Sequence, residues 1–504
     1  TQELTASPLS TINQLNSIKN FEGYFDGDYN SIYGLYMTSE EQKITMLNKL
    51  KEFIAPRSFY KRILLMAIPL ILQQILLSTY SIVDTIMVSP IPRAVGGVGI
   101  ASQILSIFLT VNFGIATGCA IFIAQFYGKK DEKNIRASFL LGIIFAIVLM
   151  SVASVVIYFN MDMIIAIFTD DVAIAQTCKQ YLSIAVWSLI PNGLVFMCTI
   201  AYRNVQKTLF PMIMTSVSCV CNVFLNWVLI YGIWFFPELG VEGAAIATIT
   251  ANIISLIFYV FLIYIRKEIF APRFSDFKTV FKFNFILPVL KKAAPLILNE
   301  TMFAIGQALY VIFLNDFGPD AYEGYRIAEN ICQIMYCASI AIAISTQAII
   351  GEALGRKEFD LAKQYGKYFM FVGLIASIIM GGLALIISPF VVYLYGGQSD
   401  TTYLLATQIL MVFSLRIVLR TFTVILYSSF RAGGESKFVL FLDCGVLWLV
   451  GIPLAFLFSM VFHIPSIVSF FLLLQLEGVA RIIIGMVRFF SFKWIHNVTE
   501  LVEK

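Results

Sequence analysis

Residues 137–159 and 368–393 contain no Asp, Glu, Lys or Arg. A helix needs about 20 apolar residues to cross about 30 Å of hydrocarbon, and both windows are long enough. Twelve windows of this kind occur, starting near residues 60, 95, 137, 181, 212, 243, 290, 325, 366, 403, 438 and 466. Gly, Pro, Ser and Thr recur within them, and in lipid these residues serve close packing and kinks rather than termination. The composition agrees: with 59% hydrophobic and 13% charged residues, the 504-residue chain is too apolar for an ordinary soluble domain.

The windows also repeat. Pro69-Leu-Ile-Leu72 is followed by an amide, and so is Pro295-Leu-Ile-Leu298, 226 positions later. The helix ending at Gly128-Lys-Lys130 returns as one ending at Gly355-Arg-Lys357, at an offset of 227. A chain that doubles one helix bundle builds two facing lobes, an arrangement that encloses a substrate site near the bilayer midplane. The expected fold is therefore an all-α membrane protein with twelve transmembrane helices in two repeated six-helix lobes.

Loop charge tests the count. Lys61 and Arg62 precede the first span, and Lys129, Lys130, Lys133 and Arg136 follow the second. Arg203 and Lys207 follow the fourth, Arg266 to Lys292 the sixth, Arg356 to Lys367 the eighth, and Arg431 and Lys437 the tenth. The alternate loops hold Asp170, Asp171, Glu238, Glu242, Asp316, Asp320 and Asp400 instead. Basic loops stay in the cytoplasm, so both termini are expected there, in a cell (inner) membrane. The net charge of +4 is mostly this topological signal and gives no reason to expect nucleic-acid binding.

These features divide the chain into a polar cytoplasmic extension (1–57), a first lobe (58–266), a linker (267–289), a second lobe (290–492) and a cytoplasmic tail (493–504). The extension holds Glu22, Asp26 and Asp28 and lacks the apolar core of a secretory signal. Disorder and an amphipathic segment at residues 39–54 are both open to it.

Cysteines such as Cys119, Cys198 and Cys444 fall inside spans, where a thiol acts as a small hydrophobe. His463 and His496 have no metal-ligand spacing, and no phosphate-binding Gly-rich loop is present. An enzyme is thus the least expected class, no cofactor is expected, and uphill transport would draw on an ion gradient.

Ionisable residues within spans carry the strongest functional signal, because each costs at least about 2.5 kcal/mol at the bilayer centre unless it faces a cavity or a partner. Asp84 lies late in the first span and Glu300 early in the seventh; neither has a basic residue at i±4. Asp443 lies in the eleventh, Arg416 and Arg420 share a face of the tenth, and Glu477 with Arg481 in the twelfth has the spacing of an intrahelical pair. Arg416 is a candidate to neutralise Asp443, Glu300 or an anionic substrate group. Gln73, Gln74, Asn222, Asn226 and Thr248 can orient Asp84 or supply oxygen ligands, or serve only as interhelical hydrogen bonds. Tyr80, Phe113, Met197, Trp227, Phe303 and Tyr310 suit flat organic cations, or simple packing.

The chain resembles the multidrug and toxic compound extrusion (MATE) family, within the superfamily that also holds lipid-linked oligosaccharide flippases. The resemblance rests on Ile68-Pro-Leu-Ile71 with Val83-Asp-Thr-Ile-Met87, Asn222-Val-Phe-Leu-Asn226, Gly240-Val-Glu-Gly-Ala-Ala-Ile-Ala-Thr248, Pro295 with Glu300, Arg431-Ala-Gly-Gly-Glu-Ser-Lys437 and a bacterial-type ending at Arg488–Ile495. It implies an H+- or Na+-driven exporter of multiple drugs. Asp84 falls on the family's first-helix acid and Glu300 on the seventh-helix acid of NorM-like members. Asn226 stands where DinF-like and archaeal members carry an aspartate, and the tenth-helix acid of NorM-like members is missing. Na+ would sit at Asp84, Asn222 and Asn226. Expected partners are cationic amphipathic small molecules and membrane lipids, with the chain acting as a monomer. A lipid-linked flippase, an exporter of one metabolite and a channel or receptor-like protein are the alternatives; the flippase would show several Lys or Arg in its central cavity.

Overall fold

The structure is a computed structural model that describes residues 52–234, 236–314, 317–394, 396 and 399–503. Asp316, Glu22, Asp26, Asp28 and all but the end of the 1–57 extension lie outside the described residues. Among the described residues, twelve helices are long and apolar enough to span a bilayer: α1 Arg57–Val88, α2 Ala94–Lys129, α3 Glu132–Phe159, α4 Val172–Asn204, α5 Leu209–Ile230, α6 Gly240–Ile265, α7 Phe283–Leu314, α8 Pro319–Gly355, α9 Phe359–Val391, α10 Asp400–Ala432, α11 Ser436–Val461 and α12 Ile467–Phe490. Most begin several residues before the sequence windows, because the helices continue past the hydrocarbon into polar ends. α7 begins inside the stretch read as linker.

Polar residues at the helix starts satisfy orphan backbone donors. Asp131 caps α3 by accepting from Asn134 N at 3.1 Å; Asp171 caps α4 by accepting from Ala173 N at 2.9 Å and Ile174 N at 3.1 Å. Proline explains several irregularities. Pro191 cannot donate to the Trp187 carbonyl, and α4 tightens into a 3-10 turn at Val186–Ser188 just before it. Pro453 has the same effect on the Leu449 carbonyl, where α11 is loosened into a π-turn at Leu447–Gly451. A second π-turn, Phe441–Gly445, carries Asp443.

The two halves share a core at one end only. At the end that carries the basic loops, one apolar cluster mixes residues of both halves, among them Phe122, Phe126 and Tyr202 with Phe369, Phe430 and Phe489. Toward the other end the core divides in two, one part within residues 88–245 and the other within 314–474. The cleft between the halves is therefore closed at the basic end and open at the opposite one.

Closure depends on α2 and α8, each of which also packs on a helix of the other half, α2 on α7 and α8 on α1. They meet backbone to backbone. A Cβ at Gly128 would stand 2.0 Å from the Glu352 carbonyl oxygen, and one at Gly355 would stand 1.8 Å from the Gln125 carbonyl oxygen. Small residues permit this approach in lipid, where tight packing replaces the hydrophobic effect as the force between helices. Polar bonds seal the same seam. Buried Gln125 donates to Ala432 O at 2.7 Å and His496 O at 3.1 Å and accepts from Val498 N at 2.7 Å. Its counterpart in the repeat, Glu352, takes Arg62, Arg356 and Gln206 Nε2, the last at 2.5 Å.

The tail from residue 493 folds back into this seam. Trp494 and Thr499 are fully buried, and Asn497 donates to Leu354 O at 2.9 Å. All eight cysteines are free.

Gly128→Ala and Gly355→Ala should each destabilise the protein by about 1–3 kcal/mol through overpacking against backbone. Gly382→Ala, where a new Cβ meets nothing within 4 Å, should be neutral. Thermal unfolding of the purified protein in detergent separates these outcomes.

Candidate substrate and ion site

A cavity of about 1010 Å³ lies between the halves, bounded near its closed end by Gln73, Arg203 and Arg431 and reaching Val88 and Val95 at the open end. It has the size of a drug-binding pocket. Of the residues singled out from sequence, Gln73, Gln74, Asp84, Thr248, Glu300 and Asp443 line it.

On the first half, α5 brings its two amides to the α1 acid, because Asn222 and Asn226 are one turn apart. Asn226 Nδ2 donates to Asp84 Oδ1 at 2.6 Å and to Asn222 Oδ1 at 2.9 Å. Asn222 Nδ2 in turn donates to Thr248 Oγ1 of α6 at 3.5 Å. Both asparagines are buried behind the wall, and Asn226 Oδ1 has no hydrogen-bond partner among the described residues. Tyr80 stands beside Asp84 and Thr248. Asp84 has no basic partner among the described residues. Gln73 faces away from this chain of bonds: it donates to Thr215 Oγ1 at 2.9 Å and accepts from Arg203 NH2 at 2.8 Å.

The second half handles its acids differently. Glu300 Oε1 accepts from Arg431 NH2 at 2.8 Å. Asn299, adjacent to Glu300, donates to Asp443 Oδ2 at 3.1 Å. Arg481 donates to the Asp443 carbonyl at 3.0 Å, lies 4.0 Å from its carboxylate and pairs with Glu477. Glu477 Oε2 also accepts from Tyr310 OH at 2.6 Å. The i,i+4 pair expected in the twelfth span is thus present and extended.

Two expectations need correction. Arg416 does not neutralise Glu300 or Asp443 and does not line the central cavity; it forms a bidentate pair with Glu329 of α8 at 2.8 and 3.2 Å. Depth along α10 decides this: the two arginines share a face, but Arg416 lies level with Glu329 of α8, while Arg420, one turn on, lines the cavity. Arg203 and Arg431, read as loop charges, are cavity residues, since α4 and α10 carry them inward at their last turns. They occupy matched places in the repeat, after Tyr202 and Phe430, so the repeat held a signal for both. Of the aromatic and Met side chains, Tyr80, Phe113 and Phe303 line the cavity; Met197 lies in the core and Tyr310 beside Glu477. Trp227 clusters with Phe224 and Trp234 on an exposed face.

Glu300→Gln should leave Arg431 unpaired and lower stability by roughly 1–3 kcal/mol, less than a fully buried pair because the cavity admits water. Adding Arg431→Met should recover part of the loss, whereas Arg416→Met should only add its own cost. The same thermal unfolding measurement tests both combinations.

The MatE family model matches residues 69–228 and 295–457, more than half of the chain and within both halves of the fold. The probable multidrug resistance protein YoeA of Bacillus subtilis is 25% identical over 421 residues, covering 80% of this chain and 87% of its own length. The multidrug resistance protein NorM of Photobacterium profundum is 23% identical over 417 residues, covering 79% and 88%. A mutant of the Vibrio cholerae MATE transporter VcmN superposes with TM-score 0.80 at 16% identity, covering 87% of this chain and 98% of that one. A MOP superfamily transporter from Pyrococcus furiosus superposes with TM-score 0.78, also at 16% identity, covering 86% and 96%. At that identity the structural likeness speaks for the fold alone; the family match carries the assignment. The chain belongs to the MatE family and is a multi-pass membrane transporter of the multidrug and toxic compound extrusion type, not an enzyme.

Proposed function

We propose that this transporter exports amphipathic small molecules, organic cations among them, in exchange for H+ or Na+ by alternating access. One observation carries the reading: among the acids lining the cavity, Asp84 is the one without a basic partner in the described residues. A carboxylate set against an apolar wall is costly unless something neutralises it. A proton, a Na+ ion or a cationic substrate each does so, and one carboxylate serves one of them at a time. Asn226 Oδ1 and Thr248 Oγ1 add uncharged oxygen ligands of the kind a hard cation takes. Competition at Asp84 then couples ion entry to substrate release.

The divided core supports the conformational part of the reading. Each half keeps its own apolar cluster at the open end, so the halves can rock as bodies, the open end closing as the basic-end seam parts. With the basic loops retained in the cytoplasm of an inner membrane, the cavity described here faces outward and both termini are cytoplasmic. Both walls of the cavity come from one chain, which supports action as a monomer.

A second reading, export of an anionic metabolite or a lipid-linked substrate, is favoured by Arg420. Its guanidinium lies over the Phe303 ring, 4.9 Å from the centroid, lines the cavity and has no carboxylate partner among the described residues. With Arg203 and Arg431 it makes the cavity mixed in polarity rather than purely acidic.

Asp84→Asn should abolish uptake of a fluorescent organic cation into proteoliposomes under imposed H+ or Na+ gradients, with unchanged expression and unfolding temperature. Full transport by the variant refutes the role of Asp84. An anionic amphipath carried in the same vesicles and lost with Arg420→Gln would decide for the second reading. After replacement of the native cysteines, crosslinking Arg62→Cys to Glu352→Cys across the seam should stop turnover, and reduction should restore it. Turnover at full rate in the crosslinked state rules out rocking.

A further inference from the structure

A second large cavity, about 920 Å³, lies at the basic end outside the central one, between the first turns of α7, the α10–α11 turn and the segment after α12. Among the described residues four cations line it, Lys291, Lys292, Lys437 and Arg488, against one carboxylate, that of Glu435. Glu435 is already engaged by Arg488, Nε to Oε2 at 3.0 Å, with His496 Nε2 at 3.7 Å. The three lysines make no ion pair among the described residues.

Ser436 adds an independent sign of a ligand. Ser436 belongs to the cavity wall and is 1% exposed, and its buried hydroxyl has no hydrogen-bond partner among the described residues. A buried hydroxyl without a partner is costly unless a ligand or water completes it.

The surroundings indicate where that ligand comes from. Leu287, Phe438 and Phe441 give the cavity an apolar rim, and Phe441 is 47% exposed. Just before and at the start of α7, Phe274, Phe277, Phe281 and Phe283 are all exposed, apolar side chains of the kind that an interfacial segment buries at the headgroup–acyl boundary. A phosphate oxyanion matches the lysines and the Ser436 donor, and acyl chains match the rim.

We propose that this cavity binds the phosphate of an anionic phospholipid from the leaflet at the basic end. Lys291, Lys292 and Lys437 neutralise the phosphate, Ser436 Oγ donates to one of its oxygens, and the chains lie against Phe438 and Phe441. The bound headgroup also touches the tail through His496 and Leu501, and so adds contacts between α7, α11 and the tail.

The full-length purified protein is titrated in detergent with phosphatidylglycerol, phosphatidylcholine or inorganic phosphate, reading bound lipid by native mass spectrometry and the unfolding temperature. Phosphatidylglycerol should bind at least tenfold more tightly than phosphatidylcholine and raise the unfolding temperature. The triple change Lys291→Gln, Lys292→Gln, Lys437→Gln should remove that preference, and the control Lys130→Gln, Lys133→Gln, Lys278→Gln, on basic residues outside the cavity, should retain it. Ser436→Ala should weaken binding several-fold without lowering the lipid-free unfolding temperature, which keeps the test decisive if the triple variant folds poorly. Equal preference in the triple and control variants, or no change with Ser436→Ala, overturns the site. Stabilisation by inorganic phosphate alone overturns the lipid as its source.

Discussion

The backbone contact between α2 and α8 is the constraint on which the rest of the molecule depends. With Gly128 against the Glu352 carbonyl and Gly355 against that of Gln125, the two helices cross closely enough to close one end of the cleft. In lipid such a seam gains nothing from expelling water, so it is held by close packing and by hydrogen bonds among buried polar groups. Gln125 and Glu352, at matched places in the repeat, provide those bonds, and the tail residues His496 to Val498 complete one side. The single shared core at this end and the two separate cores at the other follow from it.

Within that frame the two halves solve one problem in two ways. Each carries an acid on its first helix facing the cavity, and an arginine at the end of its fourth. In the second half the arginine reaches the acid, pairing Arg431 with Glu300. In the first half the position matching Glu300 is the uncharged Gln74; Arg203 is taken up by Gln73, and the acid appears instead at Asp84, out of its reach. Asp84 is left to the neutral amides of α5. The chemical asymmetry of the cavity, one acid held by amides and one by a guanidinium, thus comes from departures from the repeat at a few positions.

Polar groups behind the second half's wall are tied more tightly. Arg481 joins Glu477 to the backbone of Asp443 at a π-turn, and Tyr310 closes the group. A buried guanidinium shared between two acids is costly to break and resists rearrangement. Among the described residues the first half has no such resident cation beside Asp84.

Much of this was legible in the sequence. Long uncharged windows required helices, the doubled Pro-Leu-Ile-Leu required two halves, and alternating loop charge gathered the basic loops at one end, since hydrocarbon thickness and the cost of bare backbone in lipid act on each segment separately. The acids inside spans stood out for the same reason. Which arginine meets which acid was not legible. Arg416 turned to Glu329, Arg431 reached Glu300, and Ser436 was buried beside three lysines, because pairing depends on helix rotation and crossing depth. Helices that are apolar nearly all round carry no stripe to fix that rotation. Only the assembled bundle, through backbone contacts such as Gly128 on α8, decided it.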